Sequence, residues 1–495
     1  MYPMRMPIYQ SSEIREFEQL AKERFNLSDE ILMQRAGKAA FDFLLRRFPQ
    51  AQKIAVFCGK GNNGGDGYTL AKLLHERGLH VDVWQVGNHE SLKSPAEEAM
   101  RACQKAHVPV YPFTEKSDLH HPDLIVDALC GIGVHTTLKS EMVTAIEKIK
   151  RLQVPIYALD IPSGVDADTG CVLGDALPAT VTMTMIGLKL GLLTGHGIAY
   201  TGELVLNDLQ LPPELFSFIE PVAEKIHLGA FLPYLKPRPR DWHKRLSGHV
   251  CIVGGALGFG GAVRMAAIAA LRVGAGLVTI ATYPEHANMM NINCPEVMSH
   301  AVATPADLQP LFKRADVVVL GPGLSTSDWG KTLWDFTQTI DLPLVMDADG
   351  LNLLAETPLI KENWILTPHP GEAARLLNTT SDEIQANRLD ALKAIQKQYG
   401  GVCVLKGAGT LILAPHTPPA LCDKGNPGMA TAGMGDILSG ILGGLVAQGI
   451  PLSEASKMGV MLHALAGDLA AKDGERGMIA TDLMPYLRRL VNEGK

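Results

Sequence analysis

The sequence predicts an α/β protein made of two domains, each with a parallel sheet. A length of 495 residues exceeds what one hydrophobic core usually holds, so at least two domains are expected. In both halves of the chain, short β-rich runs end in glycine-rich segments, and helix-like stretches follow them. Between residues 211 and 247, prolines at positions 212, 213, 221, 233, 237 and 239 interrupt any long periodic element. We therefore predict one domain over residues 1–220 and a second over residues 221–495.

The composition is that of an ordinary globular protein and disfavours several classes of function. Hydrophobic residues make up 46% of the chain and charged residues 20%, and the net charge is -7. That acidic balance argues against a protein that binds nucleic acid mainly through electrostatics. The eight cysteines form no C-x-x-C pair, and several lie in apolar runs, which is typical of reduced core residues. No run reaches the ~18 apolar residues of a membrane span, so we expect a cytoplasmic protein without nucleic-acid or membrane partners.

The first glycine-rich segment of the N-terminal half lies between a β-rich run, residues 53–58, and a helical stretch, residues 68–77. Its sequence, Gly59-Lys-Gly-Asn-Asn-Gly-Gly-Asp-Gly67, satisfies the dinucleotide fingerprint G-x-G-x-x-G. The fingerprint expects an acid at the end of the next strand, whereas the run 80–86 has Asp82 in its middle. An ordinary NAD-dependent dehydrogenase is therefore disfavoured.

Side-chain oxygens collect at three strand ends of the predicted N-terminal sheet. They belong to Asn62, Asn63 and Asp66 of the glycine segment, to Asp127 of the run 124–129, and to Asp160 and Ser163 after the run 156–159. The amide, carboxylate and hydroxyl oxygens of Asn63, Asp127 and Ser163 suit a hard cation. The alternative is that Asp127 and Asp160 accept hydrogen bonds from turn amides, which is common at strand ends.

Taken together, these segments resemble the NAD(P)H-hydrate epimerases over about residues 8–208. The resemblance implies a Rossmann-like three-layer fold and a potassium ion bound by Asn63, Asp127 and Ser163. It also implies that Asp160 is the acid/base beside the hydroxylated carbon of the hydrated cofactors NADHX and NADPHX. The implied substrate contacts are Asn62, Asn63, Gly64, Gly65, Asp66, Gly131, Ile132, Gly133, Val134, His135, Thr136, Thr137 and Asp160.

Two positions in this half need separate mention. Ile132 stands where the family usually has Thr, which removes one hydroxyl from the presumed substrate loop. Lys189, in Leu188-Lys-Leu-Gly191, fits two interpretations. It approaches the substrate phosphates, or it is a solvated surface lysine.

Strand, glycine turn and helix also recur in the C-terminal half, which is typical of a doubly wound α/β sheet. The β-rich runs are residues 250–253, 317–320, 364–366 and 402–405, and residues 262–273 are helix-like. The segments that follow these runs are 254–262, Gly321-Pro-Gly323, Thr367-Pro-His-Pro-Gly-Glu372 and Lys406-Gly-Ala-Gly-Thr410. Because such sheets bind ligands beyond the carboxyl ends of their strands, we expect the four segments to cluster at one edge.

The junction near the C-terminus, Asn426-Pro-Gly-Met-Ala-Thr-Ala-Gly-Met-Gly-Asp436, runs directly into an apolar helix. The first turn of a helix has unpaired N–H groups and the positive end of the dipole, and Gly433 and Gly435 let an anion approach closely. A carboxylate at this place repels an anion, so Asp436 is best explained as a base that takes a proton from an attacking hydroxyl. The alternative is that Asp436 only caps the helix.

From about residue 225 to its end, the chain resembles the ribokinase-like NAD(P)H-hydrate dehydratases. In that family a nucleotide phosphorylates the 6-hydroxyl of the hydrated ring, and loss of phosphate restores the dihydropyridine. The resemblance implies a ribokinase-like α/β domain that uses ADP and Mg²⁺. The implied nucleotide contacts are Lys406, Gly407, Ala408, Gly409, Thr410 and Gly435, and the implied NADPHX contacts are Ala262, Gly323, His369 and Asp436, with Asp436 catalytic.

Two residues of the C-terminal site carry open questions. Met434 occupies a position that is usually small, so close approach of phosphate depends on where its side chain points. Lys406 is either a phosphate ligand or a strand-end lysine in solvent, whose neighbouring glycine backbone binds the nucleotide.

The two resemblances together predict a repair enzyme for hydrated nicotinamide cofactors. It would epimerise the R and S forms of NADHX and NADPHX and dehydrate the S form to NAD(P)H, converting ADP to AMP and phosphate. The expected partners are these small molecules and further copies of the same chain, as a homo-oligomer. One alternative is a ribokinase-like kinase of a small metabolite with a regulatory nucleotide-binding N-terminal domain. Another makes the N-terminal half a binding module without catalysis.

Overall fold

The computed structural model of the chain describes residues 6–89 and 92–492. These residues divide into two compact units, an N-terminal unit of residues 7–223 and a C-terminal unit of residues 224–492. Both units contain parallel sheets, as the α/β prediction requires. No helix in the described ranges is long and apolar enough to cross a membrane.

The N-terminal unit alternates strands and helices along most of its length. Its strands are β1 (Met6–Tyr9), β2 (Lys53–Cys58), β3 (His80–Gln85), β4 (Val110–Pro112), β5 (Leu124–Ala128), β6 (Ile156–Leu159), β7 (Val181–Met185), β8 (Leu188–Lys189) and β9 (Glu203–Asn207). Its helices are α1 (Ser11–Phe25), α2 (Asp29–Arg47), α3 (Asn62–Glu76), α4 (Ala96–Lys105), α5 (Ser140–Leu152) and α6 (Ile198–Thr201). Helical crossovers of this kind join parallel strands.

The main N-terminal sheet has the order β4-β3-β2-β5-β6-β7-β9, and all its neighbouring strands are parallel. From β2 the chain continues to β3 and β4 on one side of the sheet, and from β5 it continues to β6, β7 and β9 on the other side. The direction of the connections therefore reverses between β2 and β5, which is the switch point of the sheet. Ile54 and Val56 pack with Leu70 of α3 on one face, whereas Phe57 packs with Ile146 of α5 on the other. The sheet is therefore the middle of three layers, which confirms the predicted Rossmann-like arrangement.

The C-terminal unit also alternates strands and helices, and its sheet is larger. Its strands are β10 (Ala223–Lys225), β11 (His249–Val253), β12 (Leu277–Thr282), β13 (Met298–Ala301), β14 (Val317–Leu320), β15 (Leu344–Met346), β16 (Trp364–Leu366), β17 (Val402–Leu405), β18 (Thr410–Leu413) and β19 (Ala420–Cys422). Its helices are α7 (Gly260–Arg272), α8 (Gln309–Phe312), α9 (Asp328–Thr337), α10 (Asp349–Glu356), α11 (Pro370–Leu377), α12 (Ser381–Ala386), α13 (Arg388–Tyr399), α14 (Met434–Ala447), α15 (Leu452–Ala470) and α16 (Met484–Leu490).

Strands β13-β12-β11-β14-β15-β16-β17 are parallel in that order, and β18 and β19 continue the sheet in antiparallel fashion. The order reverses between β11 and β14, which defines the switch point of this unit. Helix α14 packs closely on α7 at Gly440. A Cβ atom added to this glycine would lie only 2.0 Å from the carbonyl oxygen of Ala266, so no side chain fits between the two helices there. The start of α14 is thereby held next to the start of α7.

Most predicted strands match the structure, but one helix begins earlier than expected. Residues 53–58 and 156–159 form β2 and β6, as predicted. Helix α3 begins at Asn62, whereas the sequence predicted a helix only from residue 68. Asn62, Asn63 and Asp66 therefore lie on the first turns of a helix, so their directions are fixed by helical geometry.

Candidate active sites

A cavity of about 700 Å³ lies at the carboxyl ends of β2, β5 and β6, beside the switch point of the N-terminal unit. Its volume is within the range of roughly 300–1,000 Å³ that is usual for small-molecule pockets. The predicted substrate residues that line it are Asn62, Asn63, Asp66, Gly131, Ile132, Gly133, Val134, His135, Thr136, Thr137 and Asp160. The fold therefore brings together side chains from three strand ends that are up to a hundred residues apart in sequence.

Two of the predicted contact residues, Gly64 and Gly65, are not among the residues that line this cavity. Both are buried in α3, and a Cβ on Gly64 would lie 1.9 Å from the carbonyl oxygen of Gly59. A Cβ on Gly65 would lie 2.4 Å from Cε of Met33. These glycines let α3 pack closely on its neighbours, which places the start of the helix at the cavity.

Asp160 forms an ion pair that the sequence did not reveal. Its Oδ1 accepts hydrogen bonds from Nζ of Lys189 at 2.5 Å and from the N–H of Met185 at 3.1 Å. Lys189 is fully buried and also donates to the hydroxyl of Thr184 at 3.0 Å and to the carbonyl oxygen of Met185 at 2.5 Å. Asp160 has a φ of 65°, a backbone strain that is found at functional sites.

Both interpretations of Lys189 are therefore revised. The solvated lysine is wrong, because the side chain is buried. An ammonium group has three donors, and the hydrogen bonds to Asp160, Thr184 and Met185 use all three, so none is left for a phosphate. Lys189 is instead the buried counter-charge of the Asp160 carboxylate.

Asn63, Asp127 and Ser163 belong to one buried polar group. The hydroxyl of Ser163 donates to Oδ1 of Asp127 at 2.6 Å, and its N–H donates to Oδ2 at 2.8 Å. Nδ2 of Asn63 donates to the carbonyl oxygens of Cys130 and Leu159, at 2.6 and 3.0 Å. This orientation leaves Oδ1 of Asn63 buried and without a hydrogen-bond partner among the described residues.

An oxygen atom that is buried without a partner needs an explanation, such as a bound water or ion. Burial also raises the pKa of Asp127 to about 6, despite hydrogen bonds from Ser163 and Leu129. A cation next to Asp127 would reverse that shift and stabilise the carboxylate. The alternative expected for Asp127 also holds in part, because it accepts bonds from the backbone amides of Ser163 and Leu129. The donor set fits a hard cation.

Two acidic residues of the N-terminal site were not predicted. Asp166 accepts a hydrogen bond from His135, with 2.9 Å between Nδ1 and Oδ2, and its other oxygen accepts the N–H groups of Asp168 and Thr169. Glu18 of α1 lines the same cavity. Asp166 lies three residues after Ser163, and this spacing was visible in the sequence. By contrast, no neighbouring residue distinguishes Glu18 from the other acidic residues of helices.

The C-terminal site is organised by Asp347, which directly follows β15 and is 1% exposed. Its Oδ1 accepts hydrogen bonds from Nζ of Lys406 and from the hydroxyl of Thr367, both at 2.7 Å. Its Oδ2 accepts from the hydroxyl of Ser439 at 2.7 Å. Burial alone would raise the pKa of Asp347, but the Lys406 ammonium outweighs burial and holds that pKa below its usual value. One carboxylate therefore joins the ends of β15, β16 and β17 to α14.

Lys406 lies inside this cluster, so the interpretation as a strand-end lysine in solvent is wrong. Its side chain is 19% exposed, and its Nζ also lies 3.7 Å from Oε2 of Glu372. Burial lowers the pKa of Lys406, but Asp347 and Glu372 outweigh burial and raise it above its usual value. The ammonium group therefore stays charged. Its role as a phosphate ligand stays a prediction.

Asp436 lies in the first turn of α14, where the N-cap residue is Gly433 with a φ of 90°. Asp436 is therefore not the N-cap residue, and its catalytic role stays a prediction. Burial raises the pKa of Asp436 to about 7, the charges of Asp347 and Asp349 add to this rise, and Lys406 opposes it. A carboxyl group with such a pKa exchanges its proton readily near neutral pH, as a general base must.

The start of α14 lies next to the Asp347–Lys406 ion pair. A Cβ on Gly435 would lie 3.4 Å from Oδ2 of Asp347 and 3.4 Å from Nζ of Lys406, so the Gly435 backbone faces the ion pair directly. Met434 is 6% exposed and packs in the hydrophobic core of the unit. Its side chain therefore points away from the site and does not hinder close approach of a phosphate.

Of the remaining predicted NADPHX residues, Ala262 lies in the first turn of α7, Gly323 follows β14, and His369 follows β16. A Cβ on Gly323 would lie 3.3 Å from Cβ of Ala262 and 2.8 Å from Cβ of Phe259, so these residues adjoin each other. His369 is the N-cap of α11, and its Nδ1 accepts the N–H groups of Gly371 at 2.9 Å and Glu372 at 3.3 Å. Burial lowers the pKa of His369, with Glu372 opposing, and a neutral ring suits this acceptor role.

The predicted nucleotide loop is a tight connection between β17 and β18. Gly407 and Gly409 have φ values of 137° and 66°, which favour glycine. The hydroxyl of Thr410 donates to the carbonyl oxygen of Gly407 at 2.9 Å. Arg388 of α13 is 1% exposed and donates to the carbonyl oxygen of Lys406 at 3.2 Å. Arg388 thus holds the loop in place.

Sequence analysis missed both Asp347 and Arg388. Asp347 stands in Met346-Asp-Ala-Asp-Gly350 directly after a β-rich run, the pattern that drew attention to Asp127 and Asp160. That signal was available. Arg388 begins an ordinary-looking helix, and nothing near it in sequence indicates that the guanidinium is buried.

Two protein-family models match the chain. The model described as YjeF-related protein N-terminus matches residues 29–191, and the model described as NAD(P)H-hydrate dehydratase matches residues 250–489. Together they cover most of the residues that line the cavity of the N-terminal unit and the Asp347 cluster of the C-terminal unit.

Relatives match along almost the whole chain. A bifunctional NAD(P)H-hydrate repair enzyme of Coxiella burnetii is 50% identical over 486 residues, which cover 98% of this chain and 99% of the relative. The enzyme with the same description from Escherichia coli is 40% identical, covering 99% of this chain and 95% of the relative. A solved structure of ADP/ATP-dependent NAD(P)H-hydrate dehydratase from Bacillus subtilis, co-crystallised with ATP/Mg²⁺, is 27% identical with a TM-score of 0.51. It covers 54% of this chain and 98% of its own.

Proposed function

The chain belongs to the family of bifunctional NAD(P)H-hydrate repair enzymes, and we propose that it restores NADH and NADPH whose nicotinamide ring has gained water. In this proposal, domain 1–220 exchanges the R and S epimers of NADHX and NADPHX. Domain 221–495 dehydrates the S form with ADP, and the products are NAD(P)H, AMP and phosphate. The observation that carries the proposal is that each unit has its own acid–base site at the switch point of its sheet, around Asp160 and around Asp436.

The C-terminal site suits phosphorylation of the 6-hydroxyl followed by loss of phosphate. Asp436 accepts the hydroxyl proton as the oxygen attacks the terminal phosphorus of the nucleotide. The N–H groups at the start of α14, next to Gly435, stabilise negative charge on the transferred group. Phosphate then leaves the ring with a proton from the neighbouring carbon, which restores the double bond. The predicted contacts of Lys406–Thr410 with the nucleotide and of Ala262, Gly323 and His369 with NADPHX are part of this proposal.

We propose Mg²⁺ as the metal of this site. Three carboxylates, those of Asp347, Glu372 and Asp436, lie around the Lys406 ammonium group, so a bound nucleotide adds negative charge that a divalent cation would neutralise. No group of three or more His, Cys, Asp or Glu side chains among the described residues is arranged to hold a metal. This fits Mg²⁺, which is commonly held by one or two carboxylates together with substrate phosphates and waters.

We propose that K⁺ is the ion of the N-terminal unit, held by Asn63, Asp127 and Ser163. The support is the unpartnered Oδ1 of Asn63 beside the Asp127–Ser163 pair. The ion would coordinate the unpartnered oxygen of this buried group. It would also hold in place the strand ends that carry the substrate loop. It would supply fixed positive charge near the cavity when bound.

Potassium is therefore expected to stabilise the N-terminal unit in a cation-specific manner. At a tenfold excess of K⁺ over its dissociation constant, the stabilisation is about 1.4 kcal/mol relative to tetramethylammonium at equal ionic strength. Thermal unfolding in the two salts measures this difference. Asn63→Leu should abolish the difference, whereas Asn62→Leu, a change at the exposed neighbour, should retain it. Equal midpoints in both salts for the unsubstituted protein would show that no K⁺ site exists.

The proposed function is tested directly with purified epimers. The full-length protein is incubated with R and S NADHX or NADPHX, Mg²⁺, K⁺, and either ADP or ATP, and recovery of nicotinamide absorbance is followed. We expect complete recovery from the mixture, and recovery limited by epimer exchange when only the R form is supplied. A stable phosphorylated product, or recovery of the S fraction alone, would contradict the proposal. Comparison of ADP with ATP identifies the donor, for which we propose ADP.

We also propose that the protein is cytoplasmic and assembles as a homo-oligomer. All eight cysteines are free thiols, as expected in a reducing compartment. The C-terminal unit exposes large apolar side chains, among them Leu257, Phe259, Met289 and Ile292, which suit a contact between copies of the chain. The mass of the particle in solution, measured by light scattering, reports the oligomeric state.

A further inference from the structure

Five carboxylates line the cavity of the N-terminal unit, and two of them are paired with a lysine, Asp160 with Lys189 and Asp29 with Lys22. Glu18 of α1, Asp66 of α3 and Asp160 after β6 all line the cavity. Lys189 is buried and bonded to Asp160. Within the described residues, neither Glu18 nor Asp66 forms a hydrogen bond or an ion pair through its carboxyl group. The cavity therefore holds carboxyl groups in fixed ionic contacts, Asp160 among them, and others without such a contact, among them Glu18 and Asp66.

The surroundings of Asp66 favour its protonated state, whereas Asp160 is bonded to the Lys189 ammonium. Burial raises the pKa of Asp66 well above its usual value, and the charges of Asp160 and Glu18 add to the rise. Burial also raises the pKa of Glu18, with Asp160 adding and Lys189 opposing. Cys58 of β2 is near Asp66, and burial raises the pKa of its thiol. The other charged or titratable groups around the cavity are Arg15, Asp29, Lys60, His135, Lys139 and Glu141.

Epimer exchange at the hydroxylated carbon requires one bond to that carbon to break and to form again on the opposite face. Carbon 6 of the hydrated ring carries a hydroxyl group and is bonded to the ring nitrogen N1. The C6–N1 bond breaks when a base removes the hydroxyl proton, forming a C6=O aldehyde, and an acid protonates N1. Rotation about the C5–C6 bond and attack of N1 on the other face of the aldehyde give the other epimer. The two protons then return to their donors, so no oxidant or reductant is consumed.

We infer that Asp66 is the catalytic acid of this exchange and that Asp160, held by Lys189, is the base. The inference rests on the proposed epimerase function, which it deepens by assigning the second proton-transfer group. The geometry supports it, because Asp66 projects from the first turns of α3 into the cavity that Asp160 lines from the end of β6. Two carboxyl groups in different surroundings can supply an acid and a base to one site. The unpaired Asp66 is the member that retains a proton to give.

The test compares Asp66→Asn with Asp66→Glu in the full-length protein. Conversion of purified R epimer to S epimer is followed without nucleotide, and the enzyme-free rate is subtracted. We expect Asp66→Asn to lower kcat of exchange by ~10²–10⁴-fold with little change in KM, because Asn cannot donate the proton. The unsubstituted enzyme should lose activity at high pH as Asp66 ionises. That decline should be absent from the residual activity of Asp66→Asn and present, with a displaced midpoint, in Asp66→Glu.

Asp29→Asn is the matched control. Asp29 lines the same cavity but is paired with Lys22 at 3.1 Å, and its side chain is 42% exposed. We expect exchange by Asp29→Asn within twofold of the unsubstituted rate. Dehydration of pure S epimer by each variant verifies that the rest of the chain is intact.

The possible outcomes separate the inference from the proposed function. If the unsubstituted protein does not accelerate exchange, the epimerase proposal itself fails. If it does, and Asp66→Asn retains the rate or the high-pH decline, Asp66 is not the acid. If Asp66→Asn does not fold, Asp66→Glu decides the question, since a pH profile identical to that of the unsubstituted enzyme overturns the inference.

Discussion

Replacement of Asp436 by Asn is expected to lower the rate of dehydration by ~10²–10⁴-fold while nucleotide binding persists. The change keeps the size of the side chain but removes the carboxylate that, in our proposal, accepts the hydroxyl proton during attack on phosphorus. The nucleotide loop, the Gly435 backbone and the Asp347–Lys406 pair are left in place. Single-turnover dehydration of S-NADPHX measures the chemical step, and equilibrium titration measures the nucleotide.

The pH profile supplies an independent measurement for the same residue. Because the pKa of Asp436 is raised to about 7, its carboxyl group is mostly protonated at pH 6 and mostly ionised at pH 8. A base must be ionised, so kcat/KM for dehydration should fall about tenfold per pH unit below pH 7 and level off above it. The residual activity of Asp436→Asn should lack this dependence. Epimer exchange by the same preparation serves as the internal control. Near-normal dehydration by Asp436→Asn would show that another group takes the proton.

Replacement of Lys406 by Met is expected to destabilise the C-terminal unit by about 3–5 kcal/mol, because the Asp347 carboxylate is then buried without its counter-charge. Asp347 is 1% exposed, so water cannot compensate for the lost ammonium. Dehydration should also fall, since Asp347 positions the start of α14 through Ser439. Urea unfolding followed by tryptophan fluorescence measures the change. Four of the five tryptophans, at positions 242, 329, 334 and 364, lie in the C-terminal unit.

Two further variants show whether the loss comes from the unpaired charge. The double variant Lys406→Met with Asp347→Asn removes both charges and should recover a large part of the lost stability. Lys331→Met removes one partner of a surface pair, Lys331–Glu356 at 3.0 Å, in which both side chains are about half exposed. The loss of unfolding free energy in Lys331→Met should stay below about 1 kcal/mol, because solvent screens that ion pair. A Lys406→Met protein as stable as the Lys331→Met protein would contradict the role given to the buried pair.

The features that could be predicted from sequence are those that depend on local pattern. The β-rich runs before glycines located the strand ends, and the carboxyl ends of parallel strands necessarily meet at one edge. This is why Asn62, Asp160 and the loop residues 131–137 were correctly expected near one another. The early start of α3 was missed because Gly64, Gly65 and Gly67 each disfavour a helix by about 1 kcal/mol relative to Ala. Close packing of that helix on its neighbours outweighs this local cost.

Pairing between distant side chains could not be predicted from sequence. Lys189 looked like a surface residue because its neighbours in sequence do not show that Asp160, 29 positions away, supplies a counter-charge. Lys406 and Asp347 are 59 positions apart, and the structure alone brings them to 2.7 Å. A charged residue in an apolar run is therefore ambiguous until its partner is known. Arg388 was missed for the same reason, because the sequence does not show which distant groups its guanidinium contacts.

The position of Arg388 behind the glycine turn of residues 407–409 limits which side chain residue 407 can carry. A Cβ on Gly407 would lie 3.0 Å from the Arg388 guanidinium, so no bulkier amino acid fits at that place without displacing the arginine. In the nucleotide contacts that we propose, residue 407 therefore offers only main-chain atoms, which meet the diphosphate of either adenine nucleotide equally well. A preference for the shorter or the longer donor would then have to come from other residues of the site, where side chains are free to vary.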